Sequence, residues 1–159
     1  MAGRKFDDDG SGVDKLCLPE QPVWGNYTDG AESRPLFRAY IYGTEIDTND
    51  DPSIFPYDVN QQDMPCAVCR TNTSINVMIP ARNKCYPGWT DEYHGYLMAG
   101  SIGEKGHNHI CLDGKPEFLP HGSTNDNQNI IYLVEGQCGS LQCPPYVQGR
   151  ELTCVVCSR

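Results

Sequence analysis

An all-β or β-dominated, disulfide-rich fold, arranged as two tandem homologous halves packed as one pseudo-symmetric domain, is predicted by three observations. Apolar residues fall in short runs rich in β-branched and aromatic side chains. Nine cysteines stand among 159 residues, and three short motifs recur along the chain in the same order. Hydrophobic residues make up 38%, which is thin for one domain of this length, and 16 Gly with 12 Pro point to many turns. Covalent links are therefore expected to supplement a modest core.

The strand expectation comes from RAYIYGTEI (Arg38–Ile46), INVMIP (Ile75–Pro80), EYHGYLMAG (Glu92–Gly100), NIIYLVEG (Asn129–Gly136) and ELTCVVC (Glu151–Cys157). Gly, Pro, Asn and Asp, the residues that end strands, bound these runs. No window of 11 residues holds the i, i+3, i+4, i+7 spacing of an amphipathic helix. The stretches from Gly43 to Pro65 and from Gly122 to Asn129 are dense in turn formers and read as surface loops.

KLCLPEQPVWG (Lys15–Gly25) aligns with HICLDGKPEFLPHG (His109–Gly122), YIYGTE (Tyr40–Glu45) with IIYLVE (Ile130–Glu135), and PCAVCR (Pro65–Arg70) with TCVVCS (Thr153–Ser158). The offsets are 94, 90 and 88 residues, drifting as loops differ in length. Ala2-Gly3 has a counterpart within Met98–Gly100. A first repeat over 1–70, incomplete at its N-terminus, a connector over 71–79 and a second repeat over 80–159 follow from this alignment.

The second repeat holds Cys85, Cys111, Cys154 and Cys157, with Cys138 and Cys143 in a loop of its own. The first holds Cys17, Cys66 and Cys69, so the counterpart of Cys85 is expected upstream of Met1. One cysteine of the first repeat is then expected to be free or bonded to another chain. Residues three apart in a strand point to opposite faces, so Cys66 and Cys69, like Cys154 and Cys157, are expected to reach different neighbours. Cys138 with Cys143 is the one pairing that spacing favours. Two CxxC pairs also have the composition of a zinc site or a redox site. The wide separation of the pairs, the further cysteines and the β-branched surroundings favour disulfides.

Oxidised cysteines imply a secreted, extracellular protein. The sequons at Asn26 and Asn72 agree with that and make both residues candidate glycosylation sites. Residues 1–12 lack the apolar region of a signal peptide, and no run approaches the length of a membrane span. A net charge of −9 argues against sequence-independent nucleic-acid binding, which needs basic residues to neutralise phosphates.

The runs from Met78 to Gly100, Cys111 to Glu117 and Val134 to Arg159 strongly resemble the C-terminal non-collagenous region of sponge short-chain (spongin-type) collagens and related secreted proteins of marine invertebrates. CLPEQPVWGNYTDG (Cys17–Gly30) and IYGTEID (Ile41–Asp47) carry the resemblance into the first repeat. The resemblance implies an extracellular, matrix-associated, disulfide-linked domain and assigns no catalytic residue. The chain departs from that pattern in having no Gly-X-Y run, without which a triple helix cannot form.

Several residues are candidates for binding. Trp24, Tyr27, Trp89, Tyr93 and Tyr96 lie near turns, where rings can stack on a sugar or line a small apolar ligand. His107 and His109 would share one face of an extended segment and so form a candidate metal pair. Asp7 and Asp9 alternate as at the start of a calcium loop, but Leu18 stands where the bidentate glutamate belongs. DTNDD (Asp47–Asp51) is a similar acidic run. No nucleophile elbow, HExxH, P-loop or dinucleotide fingerprint occurs, so an enzyme is not expected. The expected role is a secreted extracellular-matrix-type structural or interaction protein whose partners are itself, a related chain, matrix proteins or glycans. The alternative is a binding module, either a lectin or a carrier of a small apolar ligand such as a pigment.

Overall fold

The structure is a computed structural model describing residues 1–27, 39–49, 51 and 53–159. Thr28 of the first sequon, Arg38 of the first expected strand, and Asp50 and Pro52 of the acidic loop lie outside the described residues. Eight strands and no helix are formed among the described residues: β1 (Ala2–Gly3), β2 (Tyr42–Ile46), β3 (Gln62–Asp63), β4 (Asn76–Pro80), β5 (Thr90–Ala99), β6 (Ile110–Asp113), β7 (Asn129–Leu133) and β8 (Thr153–Ser158). Four disulfides join them and their loops.

The sheet runs in the order β1-β2-β7-β5-β8-β4, with β3 added to β2 and β6 to β5. Every pairing is antiparallel except β2 with β7, where Thr44 faces Asn129 and Ile46 faces Ile131. The ten-residue strand β5 organises the sheet. Its Thr90–Tyr96 stretch pairs with β8, its Met98 and Ala99 pair with β7, and Gly95–Met98 pair with β6. A strand has only two edges, so β8 and β7 follow one another along β5, and the sheet must curl to bring both there. A register shift between Asp91 and Tyr93 marks the bulge that supplies part of that bend.

The described residues form a central apolar cluster. Ile46, Phe55, Val59 and Met64 pack with Met98, Leu112 and Ile131, while Met1, Ile54, Tyr96, Ile110 and Leu133 close around them. The residues come from both 1–70 and 80–159, so the two segments share this cluster. Four of these seven residues correct the expectation that 43–65 is a surface loop. Asp side chains tie its turns locally: Asn49 N donates to Asp47 Oδ1 at 2.9 Å, Ser53 N to Asp51 Oδ1 at 3.2 Å and Asn60 N to Asp58 Oδ1 at 2.9 Å. These turns satisfy the backbone while Phe55 and Val59 face inward.

β8 lies between β4 and β5 and is covered on both edges, which suits its β-branched sequence. β4 is an outer strand, and Pro80 closes it at a position where a missing N–H costs no interior ladder bond.

Candidate functional site

The disulfides place most of the candidate residues. Cys111 of β6 and Cys154 of β8 are bonded, as are Cys85 of the β4–β5 connection and Cys157 of β8. Cys154 and Cys157 therefore reach different neighbours, as alternation along a strand requires. Cys17 is bonded to Cys66, and Cys138 to Cys143 across its short loop. The Cα–Cα distances, 5.3 to 5.9 Å, lie in the ordinary disulfide range. Cys69 is exposed and unpaired. Cys85, Asp91 and Cys157 lie close enough to suggest a metal site, but both sulfurs belong to one disulfide and offer no thiolate. Asp91 instead accepts from the amide of Cys85 at 2.9 Å.

Beside the unpaired thiol, an open cleft of about 500 Å³ runs between residues 64–69 and the outer side of β6. Met1, Met64, Ala67, Tyr93 and Leu112 give it an apolar wall, while Asp113, Lys115 and Glu117 stand at its polar side. Tyr93 donates to the carbonyl of Cys111 at 3.1 Å, and burial pushes its hydroxyl above the ordinary range. Chemically, the cleft offers one thiol and an apolar surface beside charged side chains.

The five candidate aromatics do not form one platform. Trp24 and Tyr27 are exposed neighbours with ring centroids 6.5 Å apart. Tyr96 meets Phe55 of the core edge-on at 5.4 Å, and Tyr93 lines the cleft. Trp89 is half-buried in the turn before β5, its amide bonded to the Tyr86 carbonyl at 3.1 Å. The acidic start is held by lysines: Lys5 lies 2.9 Å from Asp7, and Lys105 lies 2.6 Å from Asp9. Asn26 and Asn72 are both exposed, as an acceptor of glycan must be.

His107 and His109 are separated by burial. His107 is buried, its Nε2 lies 3.1 Å from the Ile130 carbonyl and its Nδ1 has no partner among the described residues, whereas His109 is exposed. Burial first, then the positive charge of Lys15, lowers the His107 pKa and favours the neutral ring.

A buried polar cluster beside His107 escaped the sequence reading. The fully buried Asn129 accepts from Thr44 Oγ1 at 2.9 Å and from Lys15 Nζ, and donates to the Arg4 carbonyl. Desolvation lowers the Lys15 ammonium from 10.5 to about 8. Below about 8 the folded chain holds a charged lysine at a cost. Between about 8 and 10.5 the unfolded chain binds the proton and the folded chain does not, so stability should rise with pH across that window. Lys15→Met should remove the rise. Urea midpoints of both proteins at pH 7 and pH 9.5 check this, and parallel pH curves for the two would refute it. No motif marks this cluster; it exists because β2 and β7 pair in parallel and bring Thr44 opposite Asn129.

No protein-family model, curated protein or solved structure matches the chain.

Proposed function

We propose that the protein is an extracellular, matrix-type structural and interaction protein, non-enzymatic and held by disulfides, made of two tandem copies over 1–70 and 80–159. The observation that carries this reading is the second use of one set of links. Cys17–Cys66 and Cys111–Cys154 join positions that the repeat makes equivalent. Met1 N donates to Met64 O at 2.6 Å, and Leu97 N donates to Leu152 O at 2.8 Å. Thr44 N reaches Met1 O at 3.1 Å as Val134 N reaches Leu97 O at 3.0 Å. Met64 N meets Thr44 O at 2.9 Å as Leu152 N meets Val134 O at 2.8 Å. Gln61 N to Ile46 O, 2.7 Å, has its counterpart in Gly149 N to Gly136 O, 2.8 Å.

The bridges follow the same correspondence. Ala2 faces Leu16 as Met98 faces Ile110, Gly3 faces Tyr42 as Ala99 faces Tyr132, and Glu45 faces Asp63 as Glu135 faces Glu151. Chance resemblance between cysteine-rich segments gives no reason for matched backbone bonds at so many positions. A duplicated scaffold with eight of nine cysteines oxidised fits an oxidising compartment, and the exposed Asn26 and Asn72 fit a glycosylated surface. The adjacent exposed rings of Trp24 and Tyr27 favour glycan binding as the second reading.

The test is retention on decellularised extracellular matrix in non-reducing buffer. The structural reading predicts retention that survives chelator and free sugars and is released by a reducing agent. Release by sugars would transfer the case to the lectin reading, release by chelator would point to a metal-bridged contact, and no retention would reject the proposal.

A further inference from the structure

The geometry points to a docking surface: residues 65–70 take up a cysteine-bearing β-hairpin of another polypeptide by antiparallel strand addition, and Cys69 becomes disulfide-linked to it. The inference rests on the tandem reading above, because the second copy displays the occupied form. There the equivalent stretch is β8, and the segment 75–96 covers both its edges. β4 sets Val77 opposite Cys157 and Met78 opposite Val156; β5 sets Asp91 opposite Cys157 and Tyr93 opposite Val156. Cys85, between those strands, bonds Cys157. Val155 and Cys157 are completely buried in consequence.

The first copy has the recipient segment without such a cover. Cys66 is bonded to Cys17 as Cys154 is to Cys111, so the chain is anchored at the same point. Beyond it, no backbone hydrogen bond from another described segment reaches residues 66–70. Val68 is 87% exposed, and Ala67 and Cys69 are exposed where Val155 and Cys157 are buried. The open cleft runs alongside. A segment whose backbone is paired with no other described strand, and which exposes an apolar side chain, is a template for strand addition.

The second copy also specifies the occupant. Both strands flanking β8 are antiparallel to it, so the incoming strand should be antiparallel. Its turn must carry a cysteine, as Cys85 does. Charge supplies a further criterion: Ser158 Oγ donates to the Glu92 carboxylate, and the position equivalent to Ser158 is Arg70. A hairpin with an acid in the place of Glu92 would set a carboxylate against the Arg70 guanidinium, a stronger contact than the hydroxyl makes. A second copy of this chain is not the occupant, because its own hairpin already covers its β8. The covalent step is thiol–disulfide exchange. The Cys69 thiolate attacks the partner's cysteine sulfur within a disulfide; the new S–S bond forms as the old one breaks, and the leaving thiolate takes the proton Cys69 gave up.

The probe is a synthetic peptide of residues 75–96 whose single cysteine is activated as a 2-thiopyridyl disulfide; pyridine-2-thione leaves as the bond to Cys69 forms. Added to the intact chain, it should form one adduct at Cys69, at least about tenfold faster than a scrambled peptide with the same activated cysteine, a difference of about 1.4 kcal/mol. Amides 66–70 should gain hydrogen-exchange protection, and Cys69→Ser should keep that protection with the unactivated peptide in excess. Equal rates for the two peptides, or no protection at 66–70, would overturn the proposal. So would recovery of the purified protein as a Cys69–Cys69 dimer, which would make a second copy the occupant. A disulfide map of the same sample separates the two levels: with Cys17–Cys66 and Cys111–Cys154 present, failure of the peptide rejects the docking alone.

Discussion

Replacing Cys85 and Cys157 together by alanine is expected to lower the unfolding free energy by about 4 kcal/mol, from the chain-entropy rule applied to a loop of 72 residues. That link closes the longest loop of the four and fixes the β4–β5 connection against the buried strand β8. Small domains have about 5–15 kcal/mol in total, so the loss should remove much of the molecule's margin. Removing Cys138–Cys143, which spans only 5 residues, should cost about 2 kcal/mol by the same rule. Urea denaturation in non-reducing buffer checks the ranking. Equal losses, or a larger loss for the short loop, would mean that the unfolded chain is not what these links chiefly restrain.

Gly95→Ala should be the most damaging single substitution in the sheet, costing about 3 kcal/mol or more. Gly95 is buried at the point where β5 faces both β6 and β8. A Cβ there would overlap the carbonyl oxygen of Leu112 and stand 2.5 Å from the amide nitrogen of Gly114 and 2.7 Å from the carbonyl carbon of Asp113. All three atoms are backbone, so no side-chain rotation relieves the overlap, and β6 must move away from β5. Gly43, where a methyl group would have no atom within 4 Å, is the control, and its alanine variant should be near neutral. Thermal midpoints of the two variants check the contrast, and similar midpoints would contradict it.

The long strands were legible because β-branched and aromatic residues were concentrated between turn formers, as in Ile130–Ile131 and Val155–Val156. β1 and β3 are two residues each and owe their state to partners rather than to propensity, so no local signal marks them. β6 is short, and its ICLD carries too few β-branched or aromatic residues to mark a strand locally. The inward turn of Phe55 and Val59 was hidden because Asp and Asn around them have the same composition whether a loop is solvated or folded over the core. Alternation along β8 correctly gave Cys154 and Cys157 separate neighbours, but it could not name Cys111 and Cys85, since pairing depends on which strands lie adjacent. The polar cluster at Asn129 was invisible for the same reason: Arg4, Lys15 and Thr44 are distant in sequence. The cleft beside Cys69 joins residues 64–69 to Tyr93 and to residues 111–117, and no local pattern brings those segments together.

The proposed duplication requires Cys111–Cys154 to repeat Cys17–Cys66, with the Cys69 thiol left over. Proteolysis of alkylated, unreduced protein followed by mass spectrometry reads those links directly. The predicted result is Cys17–Cys66, Cys85–Cys157, Cys111–Cys154 and Cys138–Cys143, with alkylation at Cys69 alone. A link from Cys69 to another cysteine within the chain, or Cys17 bonded to anything other than Cys66, would contradict it.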